Sequence, residues 1–239
     1  MQRSPDGVAR QPSAPHCSLV IATLHDDGEL EPCLASLVKQ ENAPTFEVIV
    51  VDQNGDDRLV EVIARFAGLL DIRHEQVDFR SATRARNLGA RLARGIWLGF
   101  PDDDCQLLSD ALGEVRRLSN DPQTQVITGQ TIDETGAPNV LRWKQEPTEF
   151  TRRTMFSCLT EATLFVRREL FLQVDGFVER FGPGAPLPRG RRHRPDEPAV
   201  RAHGRSESLL QPANQDAAPE QDAALECLGR GSFPQLCHR

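Results

Sequence analysis

Lysine is almost missing from this chain: Lys39 and Lys144 are the only two, so arginine carries nearly all the positive charge. That bias points to a GC-rich coding sequence more than to a function. Net charge is −7, with 28 basic residues against 35 acidic ones, which excludes a broad basic surface and with it a nucleic-acid partner. Cysteines are scattered at Cys17, Cys33, Cys105, Cys158, Cys227 and Cys237 with no C-x-x-C pair. Such spacing argues against a structural zinc site and fits a reduced compartment. His16, His25 and His74 lack metal-ligand spacing and are expected as ordinary surface histidines. No apolar stretch approaches the roughly 18 residues of a membrane span, and the N-terminus lacks the apolar core of a signal peptide. A soluble cytoplasmic protein is expected, with a peripheral position at the inner face of the membrane compatible with it.

What is present is an alternation. Residues 1–15 are rich in Pro, Ser, Gln and Arg without periodicity and are expected to be a disordered lead. Cys17–Thr23 and Phe46–Val51 are apolar runs of the kind buried on both faces of a parallel sheet, and Ile72–Val77 is a weaker third strand. Leu30, Leu34, Leu37 and Val38 recur at helical spacing, giving a helix to about Gln40. Asn54-Gly55 makes a turn, with Asp56 or Asp57 placed to cap a helix over Leu59–Leu69. Further helices are predicted over Ser81–Ala93 and Leu107–Leu118, and further strands over Gln125–Ile132 and Thr163–Val166, the last running into a short helix over Glu169–Val174. Between Glu134 and Phe156 the pattern is lost, and Gly176, Gly182 and Gly184 mark a loop. The fold class is therefore α/β, a mostly parallel sheet with helices on both faces. From Pro188 to Arg239 there is no Ile, Lys, Met or Trp and a single Val, so a low-order tail is expected.

One stretch organises the rest. Ile96–Cys105, I-W-L-G-F-P-D-D-D-C, runs from an apolar strand into Asp102, Asp103 and Asp104. Acids placed where a strand leaves an open α/β sheet sit in the crevice that binds ligands. Three carboxylates this close repel one another, and a divalent cation with hard oxygen preferences, Mn²⁺ or Mg²⁺, removes the conflict. A solvated acidic turn capping the next helix is the competing reading of the triplet alone.

Four motifs in order, C-S-L-V-I-A-T, V-I-V-V-D-Q-N-G, S-A-T-R-A-R-N-L-G and F-P-D-D-D-C, resemble a family 2 glycosyltransferase of the GT-A fold over about Cys17–Gly184. The resemblance implies a nucleotide-sugar donor, a UDP-sugar foremost, and an acceptor glycan or lipid of unknown identity. It implies donor contacts from Ala22, Thr23, Asp52, Arg86, Asn87 and Asp102, with Asp102 and Asp104 as ligands of a divalent cation. Asp52 also fits a plain turn cap at a strand end. Arginine suits a diphosphate because its planar fork stays charged; Arg84 could share that role, while Arg91 and Arg94 are expected to be solvated. Gly89 is expected where the helix packs closely on the sheet. The family's chemistry is inverting displacement at the anomeric carbon, with a general base on an E-D-x-D-L-like run.

Val174–Leu187 reproduces the approach to that run, and then the match stops. P-R-G-R-R-H-R-P-D-E follows instead, which suggests truncation of the pattern or a change of reading frame after about Leu187. One choice of codons for Arg191–Val200, shifted by a base, reads G-D-T-D-L; a gene whose alternative frame is closed there overturns this idea. On that reading Asp196 and Glu197 are accidental acids and the catalytic base is unassigned, whereas under true divergence Glu179 or Asp175 would supply it. Two other functions stay open: an inactive nucleotide-binding or interaction module on this fold, and another nucleotide-handling class. A pyrophosphorylase should carry a Gly-rich basic loop where this chain has T-L-H-D-D-G, and a receiver domain needs a lone phosphoacceptor Asp and a later Lys.

Overall fold

Strand residues that are apolar on both faces bury a sheet between two helical layers, and that is the arrangement found. The structure is a computed structural model that describes residues 13–25, 28–133, 135–139, 159–180 and 235–238. Its elements run β1 (Cys17–Thr23), α1 (Leu30–Val38), β2 (Phe46–Asp52), α2 (Val60–Phe66), β3 (Ile72–Gln76), α3 (Ala82–Leu92), β4 (Trp97–Gly99), β5 (Gln106–Leu107), α4 (Ala111–Ser119), β6 (Val126–Ile127), β7 (Gln130–Ile132), β8 (Phe165–Arg167), α5 (Arg168–Gln173) and β9 (Gln235–His238). The large sheet has the order β3-β2-β1-β4-β8-β6. Its first four strands are parallel, while β8 lies antiparallel to both β4 and β6. Leu19, Ile21, Val48 and Val50 face one way, into a core with Leu34 and Leu37 of α1, Ile63 and Phe66 of α2, and Leu112 and Val115 of α4. Val20, Ile49 and Val51 face the other way, against Ala85 and Ala90 of α3 and Phe171 of α5. The expected α/β architecture with helices on both faces is what the chain adopts. Among the described residues no helix is long and apolar enough to cross a membrane.

Several predicted boundaries shift for identifiable reasons. The helix expected from Leu107 begins at Ala111, and Gln106–Leu107 is a strand. Ser36 of α1 and Gln40 just beyond it hold that segment extended: Leu107 N–H donates to Ser36 Oγ (3.0 Å), and Gln40 Nε2 donates to the Leu108 carbonyl (2.7 Å). The single strand expected over 125–132 is two strands in different sheets, β6 in the large one and β7 in a small one. Neither Asp56 nor Asp57 caps α2, which starts at Val60 without a side-chain cap; Asp56 instead grips Arg58 through two carboxylate oxygens. Four residues of the expected low-order tail also form a strand, since β9 lies between β5 and β7 as the middle strand of the small sheet. The readings made for residues 1–12, most of Glu134–Phe156, Gly182, Gly184 and 188–234 lie outside the described residues.

At the amino-terminal edge of the large sheet the chain is fastened by one buried carboxylate. Glu47 accepts from Ser18 Oγ (2.6 Å), from the Arg94 N–H (2.7 Å) and from Arg94 Nε (2.8 Å). Arg94 also reaches Asp71 at 2.7 Å, so the half-exposed charge expected to be merely solvated is a fastener as well. The opposite, carboxyl-terminal edge is left for the site.

Candidate functional site

Three parallel strands deliver the expected residues to one edge. β1 ends at Ala22 and Thr23, β2 at Asp52, and β4 passes through Phe100 and Pro101 to the acids. In the β1–β4 register Leu19 pairs with Gly99. Continued residue for residue, that register brings Asp103 level with Thr23. Helix α3 descends onto the same edge, its start set by Ser81, whose side chain accepts from the Arg84 N–H (3.3 Å).

Arg86 closes the first contact of the site. Its Nη2 donates to Asp102 Oδ1 at 2.6 Å, with side chains only 13% and 19% exposed. The Arg86 Nε is buried without a hydrogen-bond partner, and so is the Thr23 hydroxyl. Orphaned buried polar atoms are rare in native folds and ask for an explanation. Two of them at this edge, one a charged donor, fit a site that a polar anionic ligand would complete.

The carboxylates of Asp102 and Asp104 and the Cys105 thiol converge, with their ligand atoms all within 4.8 Å of one another. Cys105 Sγ lies 3.6 Å from Asp104 Oδ1, and the Cys33 thiol donates to the Asp102 carbonyl at 3.7 Å. Two hard oxygen donors fit Mg²⁺ or Mn²⁺, and the thiol extends the set toward softer ions. Burial pushes the Asp103 carboxyl above the usual carboxylate range, and repulsion from Asp104 and Asp102 adds to the rise. The nearby Thr23 hydroxyl opposes it without forming a hydrogen bond of ordinary geometry. Burial thus works against charge on Asp103.

Asp52 is fully enclosed. Its Oδ1 accepts from the N–H and the side-chain amide of Asn54 (2.9 and 2.8 Å), and its Oδ2 lies 2.9 Å from His74 Nε2. The turn-cap reading of Asp52 therefore describes its contacts. His74, expected at the surface, is largely buried behind it, with a side chain 17% exposed. Asn87 is likewise taken up by contacts with its own chain. Its Oδ1 accepts from the Phe177 N–H (2.9 Å), and its Nδ2 donates to the Phe177 carbonyl (2.8 Å) and to Glu179 Oε1 (3.2 Å). Gly176 makes that latch possible: it sits at φ +71°, and a Cβ there would come within 2.6 Å of Asn87 Oδ1. Phe177 packs its ring 5.0 Å from those of Phe100 and Phe171, so the latch is anchored in the core. Arg84 stacks on Phe79 at 3.9 Å and does not join the acids.

Sequence reasoning missed Gln53. Buried at 3% exposure, it donates from its backbone to the Thr23 carbonyl (3.0 Å) and accepts from the Ser81 N–H through Oε1 (2.6 Å). It thereby joins β1, β2 and the start of α3 beneath the site. Its signal was only a position one residue after Asp52.

The model of "Glycosyl transferase family 2" matches residues 18–177. A hyaluronan synthase of Pasteurella multocida is 35% identical over 89 residues, covering 36% of this chain and 9% of that protein. The validoxylamine A glucosyltransferase of Streptomyces hygroscopicus subsp. limoneus is 38% identical over 103 residues, covering 40% of this chain and 22% of the other. Among solved structures, S. aureus TarS 1–349 in complex with UDP superposes with a TM-score of 0.54 at 22% identity, over 66% of this chain and 48% of that one. The mannosyltransferase PcManGT from Pyrobaculum calidifontis, in complex with GDP-Man and Mn²⁺, gives 0.57 at 22% identity, over 77% and 53%. At that identity the likeness is one of fold. The chain spans between 9% and 36% of the length of the curated relatives it matches.

Proposed function

The chain belongs to glycosyl transferase family 2, and from that premise we propose that it binds a nucleoside diphosphate sugar at the carboxyl edge of its large sheet and transfers the sugar to an acceptor hydroxyl. The observation that carries this reading is the acidic triplet faced by Arg86, with two buried polar atoms left unsatisfied beside it. Thr23 and Ala22, at the end of β1, would line the nucleotide, and Asp52 would shape the base pocket by holding the 52–55 turn. Asp102 and Asp104 would hold a divalent cation, Mn²⁺ or Mg²⁺, with Cys105 in reach. Such an ion, when bound, stabilises the negative charge that gathers on a leaving diphosphate. Arg86 supplies fixed positive charge to the same oxygens in a partly buried site, where it acts more strongly than in water.

Transfer with inversion forms a bond from the acceptor oxygen to the anomeric carbon, breaks the bond from that carbon to the diphosphate, and delivers the acceptor proton to a base. Asn87 contributes by position, holding Phe177 and Glu179 against α3. TarS in complex with UDP favours a UDP-sugar, and PcManGT with GDP-Man keeps the guanine nucleotide in view.

Calorimetric titration of UDP with Mn²⁺ into the wild-type chain and Asp104→Ala reads the donor site whether or not a base is present downstream. Binding that needs Mn²⁺ and weakens at least about tenfold in the variant, a change of about 1.4 kcal/mol, is the expected result. A wild-type chain that binds none of UDP, GDP or dTDP sinks the reading.

A further inference from the structure

We propose that Arg86 and a divalent cation compete for Asp102, so that the nucleotide diphosphate, by offering Arg86 another anion, strengthens cation binding. The inference rests on the donor-site reading above and adds to it a rule for the order in which the site fills.

Geometry supplies the competition. The guanidinium sits 2.6 Å from Asp102 Oδ1, and neither side chain is more than one-fifth exposed, so solvent screens the pair little. The same Asp102 carboxylate belongs to the cluster that converges with Asp104 and Cys105 within 4.8 Å. A cation shared by Asp102 and Asp104 would therefore stand next to a positive guanidinium that already uses one of its ligands. Like charges at that range repel, and the carboxylate cannot serve both at full strength.

The way out lies in the rest of the fork. Arginine presents five N–H donors in a fixed plane, and here the Nε is buried with no acceptor. Neighbouring carboxylates do not satisfy it, since the hydrogen bond to Asp102 is made by Nη2 alone. A phosphate oxygen arriving beside Arg86 would draw the guanidinium out of its buried position, give Nε an acceptor, pull positive charge away from Asp102, and leave that carboxylate to the cation. The second buried atom without a partner, the Thr23 hydroxyl, lies beside Asp103 at the same edge of the sheet. Arg84 cannot substitute, because it is held over the Phe79 ring.

The decisive measurement is Mn²⁺ affinity, read from the electron paramagnetic resonance of free Mn²⁺, with and without UDP. Proteins compared are wild type, Arg86→Gln, Arg86→Lys, and Arg91→Gln as a control that removes the same charge from the exposed far end of α3. In the absence of UDP, Arg86→Gln is expected to bind Mn²⁺ about five- to tenfold more tightly than wild type, within the usual range of coupling between sites. The factor by which UDP raises Mn²⁺ affinity should shrink by a similar amount. Arg86→Lys should stay within about twofold of wild type for Mn²⁺ alone, and Arg91→Gln should change neither quantity. Arg86→Met makes the same removal should the glutamine variant fail to fold. If Arg86 merely props Asp102 in place, Arg86→Gln will weaken Mn²⁺ binding, the opposite sign; that result, or no change, overturns the proposal while leaving UDP binding by wild type intact. Loss of UDP binding in wild type itself would instead condemn the donor-site reading on which the proposal stands.

Discussion

Glu47 shows how a single side chain can hold one edge of the sheet while the other is reserved for ligands. Burial pushes its carboxyl up, but hydrogen bonds from Ser18, the Arg94 N–H and the Arg94 side chain outweigh that and hold it below the usual carboxylate range. A carboxylate depressed in the folded state contributes stability above its unfolded value, about 4.3 for Glu, and that contribution is lost as pH falls through the folded value. Glu47→Gln is expected to lower unfolding free energy by about 2 kcal/mol at pH 7, short of the value for a fully buried pair because the Arg94 head is half exposed. The deficit should narrow at pH 3.5. Denaturant titrations at both pH values check it, and an equal deficit at each would show that the charge is not what matters. At this scale positions were legible and partners were not. The strand-end location of Asp52 was evident from V-I-V-V-D, yet its contact with His74, 22 residues away, depends on β2 and β3 being paired at that register. Asn87 sat in the expected motif, but no local pattern announces that its amide would be taken by Phe177, 90 residues on.

Helix α3 is the element on which the site most depends, because it carries both Arg86 and Asn87. It was legible from sequence to within a residue at each end, since Ser81 is a strong cap and Ala85, Gly89 and Ala90 mark a narrow apolar face. α4 was misjudged because its start is decided by Ser36 of α1 and by Gln40 just past the end of that helix. Gly89 explains how closely α3 lies on β1. An alanine Cβ there would run into Val20 Cγ1, with Val20 Cγ2 and Cβ at 3.2 and 3.3 Å, so rotating the valine does not clear the space. On helix propensity alone, Gly89→Ala should stabilise by up to about 1 kcal/mol. Overpacking a tight core costs about 1–3 kcal/mol, and Val20 is completely buried in the middle of β1. The second effect is the larger, so Gly89→Ala is expected to lower the thermal midpoint and, by lifting α3, to weaken UDP binding as well. A higher midpoint would mean that the helix can shift without loss.

At the scale of the whole molecule, the two sheets differ in how far the sequence announces them. β1 and β2 are seven-residue apolar strands whose burial on both faces is written in their composition. β5, β7 and β9 are two to four residues long, too short to show a period, and β9 joins the others from far along the chain. What the small sheet has instead is pairing: β9 meets Gln106 and Leu107 of β5 on one side, and Gln130, Thr131 and Ile132 of β7 on the other. Since β5 begins two residues after Asp104, the strand that completes this sheet also braces the chain as it leaves the acids. Removing residues 235–239 would take away the middle strand that β5 and β7 share, so their ladder groups would turn to water. Such a truncation is expected to accelerate amide hydrogen exchange at 106–107 and 130–132 by about tenfold or more, because local opening there no longer has to break β9 away. Val48–Val51, in the middle of the large sheet, should exchange as before. Acceleration across β2 as well would mean that the two sheets unfold as one unit, and unchanged exchange at 106–107 would mean that β9 contributes nothing to holding β5. Selective loss in the small sheet alone would establish that the acidic triplet is supported from two directions, by the large sheet before it and by this late strand after it.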